Sequence, residues 1–126
     1  MSKRAWRTIR RFLLIQAVIF LAAALVHAGV LVRGYEHRAA RIAESVIAAV
    51  LFLGLLASWL RPAWTRAAGV VAQGFALLGT CVGLFTIAVG VGPRTVPDVA
   101  YHVAIIVVLA WGLGVAWRAR ALGSPT

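Results

Sequence analysis

The sequence predicts an all-α fold: an integral membrane, antiparallel bundle of four transmembrane helices, with both termini on the cytoplasmic side. Three observations lead there. The 126 residues are 63% hydrophobic with a mean hydropathy of +0.95, and a small soluble fold cannot hide that much apolar surface. The apolar residues fall into four runs, about 12–32, 42–60, 67–91 and 97–117. Each is close to the ~20 residues that a helix needs to cross ~30 Å of hydrocarbon. The basic residues then flank the runs unevenly. Lys3, Arg4, Arg7, Arg10, Arg11, Arg61, Arg66, Arg118 and Arg120 fall on one side, and Arg33, Arg38, Arg41 and Arg94 on the other. The richer side is expected in the cytoplasm.

Lipid offers the backbone no hydrogen bonds, so each run is expected to be helical, and none shows the alternation of a membrane β-strand. The first run begins after a basic cluster read as a topology signal and lipid anchor. It also carries signal-peptide features, a basic start and Val26-His27-Ala28 as a small-residue cleavage pattern. It is longer than a usual signal core and is kept as a helix. The second run follows a charged loop with Gly34, and the third follows Pro62. The fourth opens on Thr95-Val96-Pro97-Asp98, a capping box with proline in the first turn. Short connectors make successive helices antiparallel neighbours. The whole chain, 1–126, is read as a single transmembrane domain. The tail 121–126 is expected to be disordered.

The net charge of +10 does not imply nucleic acid, because the basic residues sit at the ends of apolar runs. Anionic lipid headgroups in the bilayer are the expected partners. Cys81 is the single cysteine, expected to be buried and inert. Gly79 and Gly83 form a GxxxG in the third run, read as a helix-packing surface for the bundle centre, a homodimer or a larger membrane complex. Gln16 and Gln73 fall at matching depths in the first and third runs, as interhelical glue.

Ionisable residues within membrane helices are costly and mark functional sites. Here they gather at one level. His27 lies five residues from the expected helix end at Val32, ~8 Å below the rim at ~1.5 Å per residue. Glu44 is in the first turn of the second helix on the same side. Asp98 opens the fourth helix, His102 lies one turn deeper, and Arg94 approaches from the loop. Gln16 with His27, Glu44 with Ser58, and Asp98 with His102 each share a helical stripe that should face the bundle interior.

Three functions fit such a layer. The first is binding or translocation of a small polar species, a proton or a metal ion. His27 and His102 would then be ligands or proton carriers, with Glu44 and Asp98 as charge partners. The second is an accessory subunit docked through the GxxxG face. The third is a haem-binding electron-transfer protein with His27 and His102 as axial ligands. The residues name no cofactor. No enzyme is expected, since glycine-rich phosphate loops, HExxH and CxxC pairs are absent. The expected location is a bacterial inner membrane. In size the chain is similar to small multidrug exporters and fluoride channels. The exporters' essential glutamate of the first helix has no counterpart, and the channels' Thr/Ser-rich stretch shrinks to Leu84-Phe85-Thr86-Ile87. Neither family is assigned.

Overall fold

The computed structural model describes residues 1–120; the tail 121–126, expected to be disordered, lies outside the described residues. Four helices follow one another: α1 Lys3–His27, α2 Arg38–Leu60, α3 Thr65–Ala88 and α4 Val96–Arg118, with a 3₁₀ turn Pro62–Trp64 before α3. Among the described residues there is no strand. All four helices are long and apolar enough to cross a membrane.

The helix limits differ from the apolar runs for a local reason at each end. α1 starts nine residues before its expected position because the Ser2 hydroxyl accepts from the Ala5 N–H (3.1 Å), and Lys and Arg are good helix formers. It stops at His27, five residues short of Val32. There Gly29 turns to φ +73°. The Gly29 N–H then reaches the Val26 carbonyl (3.0 Å) and the Val30 N–H the Leu25 carbonyl (3.0 Å), the pattern of a Schellman cap. α3 ends the same way at Gly90, φ +86°. There the Gly90 N–H reaches the Ile87 carbonyl (3.2 Å) and the Val91 N–H the Thr86 carbonyl (2.9 Å). Apolar character continues past both glycines, but the helices do not. His27 is therefore the last residue of its helix and not a position five residues inside it.

α1 and α3 touch each other, and each packs on both α2 and α4. The buried face of α1 is Ile9, Leu13, Gln16, Ala17, Phe20, Ala24 and His27, the three- and four-residue spacing of a single helical stripe. α3 meets it with small residues, Gly69, Ala72 and Ala76, so the two axes approach closely. Ile47, Leu51 and Leu55 of α2 and Ile105 and Leu109 of α4 close the core. The outer faces carry Leu14, Val18, Leu53, Leu78, Phe85, Val107 and Trp111, all exposed. Polar Gln16, Gln73, Glu44 and Asp98 are buried instead, the reverse of a water-soluble bundle.

The GxxxG is internal. A Cβ at Gly79 would stand 3.0 Å from Ile47 of α2, and one at Gly83 would stand 3.0 Å from the His102 ring of α4. The surface expected to seat a second copy or a larger complex is already occupied by the chain's own helices. Cys81 is exposed, against expectation. It follows Gly79 by two residues, ~200° around the helix, so it faces outward where the glycines face inward.

Midway along the core, the Gln16 amide N–H donates to Gln73 Oε1 (2.9 Å) and to the Val108 carbonyl (3.3 Å), and Gln73 Nε2 donates to the Gly69 carbonyl (2.9 Å). Gly112 of α4 sits against this pair. A Cβ there would overlap Gln73 Oε1 and lie 2.7 Å from Gln16 Nε2 and 2.8 Å from Phe12. Gly112→Ala is expected to lower stability by about 1–3 kcal/mol. Gly74→Ala, where nothing lies within 4 Å of the new methyl, should change it by less than about 1 kcal/mol. Denaturant unfolding of detergent-purified protein followed by circular dichroism measures both. Equal losses would refute the close approach at Gly112.

Candidate functional site

At the end of the bundle away from the termini, three helices each deliver one ionisable side chain to a common point. α1 supplies His27 from its last turn, α2 supplies Glu44, and α4 supplies Asp98 from its first turn. Both ring nitrogens of His27 are engaged: Nδ1 lies 2.7 Å from Glu44 Oε2 and Nε2 lies 2.9 Å from Asp98 Oδ1. All three side chains are buried, at 4%, 5% and 6% exposure. A neutral imidazole has one N–H. Two hydrogen bonds to carboxylates thus need either an imidazolium or a neutral ring beside one carboxylic acid. In both cases the cluster has the same net charge, one negative unit.

Asp98 is the better supported of the two acids. Its second oxygen, Oδ2, accepts from the Thr95 hydroxyl. The Thr95 Oγ1 in turn accepts from the Asp98 N–H (3.3 Å), closing the capping box read in the sequence. The α4 N-terminus adds the positive end of a helix dipole. Glu44 has no such help. Its Oε2 contacts His27, while Oε1 is buried without a hydrogen-bond partner. The two His27 contacts are the ion pairs of these acids among the described residues. One imidazole serves two carboxylates, and the unbalanced charge falls on Glu44.

The remaining candidates lie apart from the triad. His102 is buried one turn below Asp98, with Nδ1 2.7 Å from the Asp98 carbonyl oxygen. Because a carbonyl only accepts, Nδ1 carries a proton. Arg94 turns the other way. Its Nε donates to the Ile87 carbonyl (3.0 Å) and its Nη2 to the Ala88 carbonyl (2.9 Å). It satisfies the open carbonyls at the end of α3 and is no charge partner of the layer. Among the described residues no group of three or more His, Cys, Asp and Glu side chains is disposed to hold a metal ion. With His27 bonded through both nitrogens, the two histidines do not present a pair of free imidazoles to one point.

Two cavities flank the triad. One, about 470 Å³, opens between α1 and α4. It is lined by apolar residues, with His27, Asp98 and Tyr101 in its wall. The other, about 190 Å³, lies under the loops between α2, α3 and α4, and its wall includes Glu44, His102, Thr86 and Gly83. Below the layer the core is apolar through Phe20, Ala24, Ile47, Ala48, Ala76 and Ile105 as far as the glutamine pair, apart from Thr80, whose hydroxyl donates to the Ala76 carbonyl (2.7 Å). Sequence reasoning missed two contributors. Tyr101 packs edge-on against Phe20 (6.2 Å) and His102 (5.2 Å). The His37 ring accepts from the Ala40 N–H (3.1 Å) and caps α2. Its position immediately before a helical run was the available signal.

No family model, no curated protein and no solved structure matches this chain.

Replacing His27 with leucine strands two buried carboxylates without their cation. His27→Leu is expected to cost about 3–5 kcal/mol, the usual penalty for breaking a buried pair. Glu44→Gln should cost much less, because an amide can still bond the ring. Thermal unfolding of both variants decides the matter, and a His27→Leu protein as stable as Glu44→Gln would contradict the shared imidazole.

Proposed function

We propose that the chain is a multi-pass protein of a bacterial cytoplasmic membrane, termini inside, that binds and releases a proton at the His27–Glu44–Asp98 cluster near the outer face. The observation that carries this reading is the shared imidazole: two buried carboxylates, one ring between them, and Glu44 Oε1 without a partner. A buried uncompensated charge is expensive. The cluster therefore has a standing affinity for one more positive charge, and the proton is the smallest. The groups facing it are few. α1 contributes His27, α2 Glu44, α4 Asp98, Tyr101 and His102, and the preceding loop His37. α3 contributes no charge, only Gly83, Thr80 and Thr86 near the second cavity. Support for the orientation comes from the nine basic residues near the termini and the α2–α3 turn against four at the opposite end.

The apolar packing between this layer and the glutamine pair argues for a site that exchanges with one side and does not conduct through the bundle. Coupled groups titrate as a unit, which makes the proposal measurable by nuclear magnetic resonance on ring-labelled histidine in detergent-solubilised protein. In the wild type the His27 nitrogens and a carboxyl resonance should change together across one protonation step. In Glu44→Gln the ring should titrate with a displaced midpoint and coupled to Asp98 alone. Superimposable His27 curves in the two proteins would overturn the reading.

A further inference from the structure

The end of the bundle that carries the termini holds positive charge with no acid to balance it. The three acidic residues of the chain, Glu36, Glu44 and Asp98, belong to the opposite end. A cavity of about 310 Å³ opens here between α1 and α2, lined by Arg7, Arg10, Arg11, Leu14, Leu55 and Trp59. Its three arginines differ in what they bind. Arg10 is engaged by the protein itself. Its Nε donates to Ser58 Oγ (3.2 Å) and its Nη2 to the Ser58 carbonyl, an acceptor left open in the last turn of α2. Ser58 is fully buried, so this contact clamps α1 to α2 beside the cavity. Arg7 and Arg11 are exposed. Among the described residues neither has a hydrogen-bond or ion-pair partner, the ion pairs being those of His27. They are i, i+4 neighbours, so two like charges stand side by side on one helix face.

Below them the same face turns apolar. Leu14, Val18 and Leu21 continue the stripe of Arg7 and Arg11 at three- and four-residue spacing. All three are exposed, at 42%, 50% and 43%. Across the groove α2 offers Leu55 and the indole of Trp59. One continuous surface is thus cationic at the rim and apolar beneath it.

We infer that this cavity holds the phosphate of one anionic phospholipid, with an acyl chain laid along Leu14, Val18 and Leu21. The inference rests on the membrane-spanning part of the proposed function and not on its proton chemistry. Charge selects the headgroup. Guanidinium groups meet phosphate oxygens through charge-assisted, bidentate hydrogen bonds, and basic pockets between transmembrane helices suit anionic headgroups. A zwitterionic headgroup would bring its own cation against Arg7 and Arg11. The apolar stripe selects the rest of the ligand. Leu14 follows Arg11 by three residues, ~5 Å along the axis, which is where a chain hanging from the phosphate must begin. Free phosphate would use the arginines and leave that stripe bare. Trp59 stands beside the arginines, and the headgroup level is where an indole settles. The volume agrees, since about 310 Å³ is roughly ten times the ~30 Å³ share of one water, room for a phosphate and its glycerol.

The test is native mass spectrometry of the detergent-purified, delipidated full chain, titrated with phosphatidylglycerol or phosphatidylcholine. The expected result is a first phosphatidylglycerol bound at one per chain, with phosphatidylcholine about tenfold weaker. The double variant Arg7→Gln/Arg11→Gln should weaken that first site about tenfold or more. Lys3→Gln/Arg4→Gln removes two charges from the same end outside the cavity, and should leave it within about twofold. Equal losses in the two double variants would make the attraction a diffuse one and overturn the site. So would equal affinity of the wild type for the two lipids, which needs no variant to fold. Displacement of phosphatidylglycerol by an equal concentration of inorganic phosphate would show that the acyl chain adds nothing, and the lipid would fall. A chain that needs detergent to stay in solution yet shows no preference for phosphatidylglycerol refutes the lipid site alone. One that stays monodisperse without detergent sinks the membrane-spanning reading and the site with it.

Discussion

Two carboxylates that leave water must find positive charge, and in this bundle they find the same imidazole. That single sharing organises the end of the molecule away from the termini. His27 lies between Glu44 and Asp98 because it continues the inward stripe of α1, three residues after Ala24. The Schellman turn at Gly29 ends the helix there, and the His37 N–H returns to the His27 carbonyl (3.0 Å), fastening the loop over the site.

The same logic separates the two polar layers. The Gln16–Gln73 contact is neutral and closes on backbone carbonyls of α3 and α4. It joins α1 to α3 at the place where Gly112 lets α4 approach. It has no excess charge and little room around it, so it reads as a packing element. The His27 layer has both an unsatisfied oxygen and a cavity. Burial alone does not distinguish these layers, since both are nearly fully enclosed. What separates them is charge and free space, since each layer leaves one buried side-chain oxygen without a partner, Gln16 Oε1 in one and Glu44 Oε1 in the other.

Much of this was legible in the residues. The four helices, the inward stripes, the capping box at Thr95 and the glutamine pair all follow from spacing and polarity. Gathering His27, Glu44, Asp98 and His102 at one level was likewise readable from the depth of each residue. Arg94 was misjudged because its place in the loop brought it to the level of the layer, while its guanidinium turns to the open carbonyls of Ile87 and Ala88 at the end of α3. Cys81 was misjudged because it was read together with the GxxxG, although two residues' separation puts it on the other side of the helix.

The sequence by itself determined four long apolar helices and the stripe on which each polar group lies, because length, hydropathy and helical period act within a single helix. Only the tertiary structure decided which groups touch. The azimuth of one helix relative to another is set by how Gly69, Gly83 and Gly112 admit their neighbours, and by where glycine caps end α1 and α3. Those choices place one histidine against two acids, turn Arg94 away, and leave Glu44 Oε1 buried without a partner. Such pairings across helices depend on packing between segments distant in the chain, which no local pattern records.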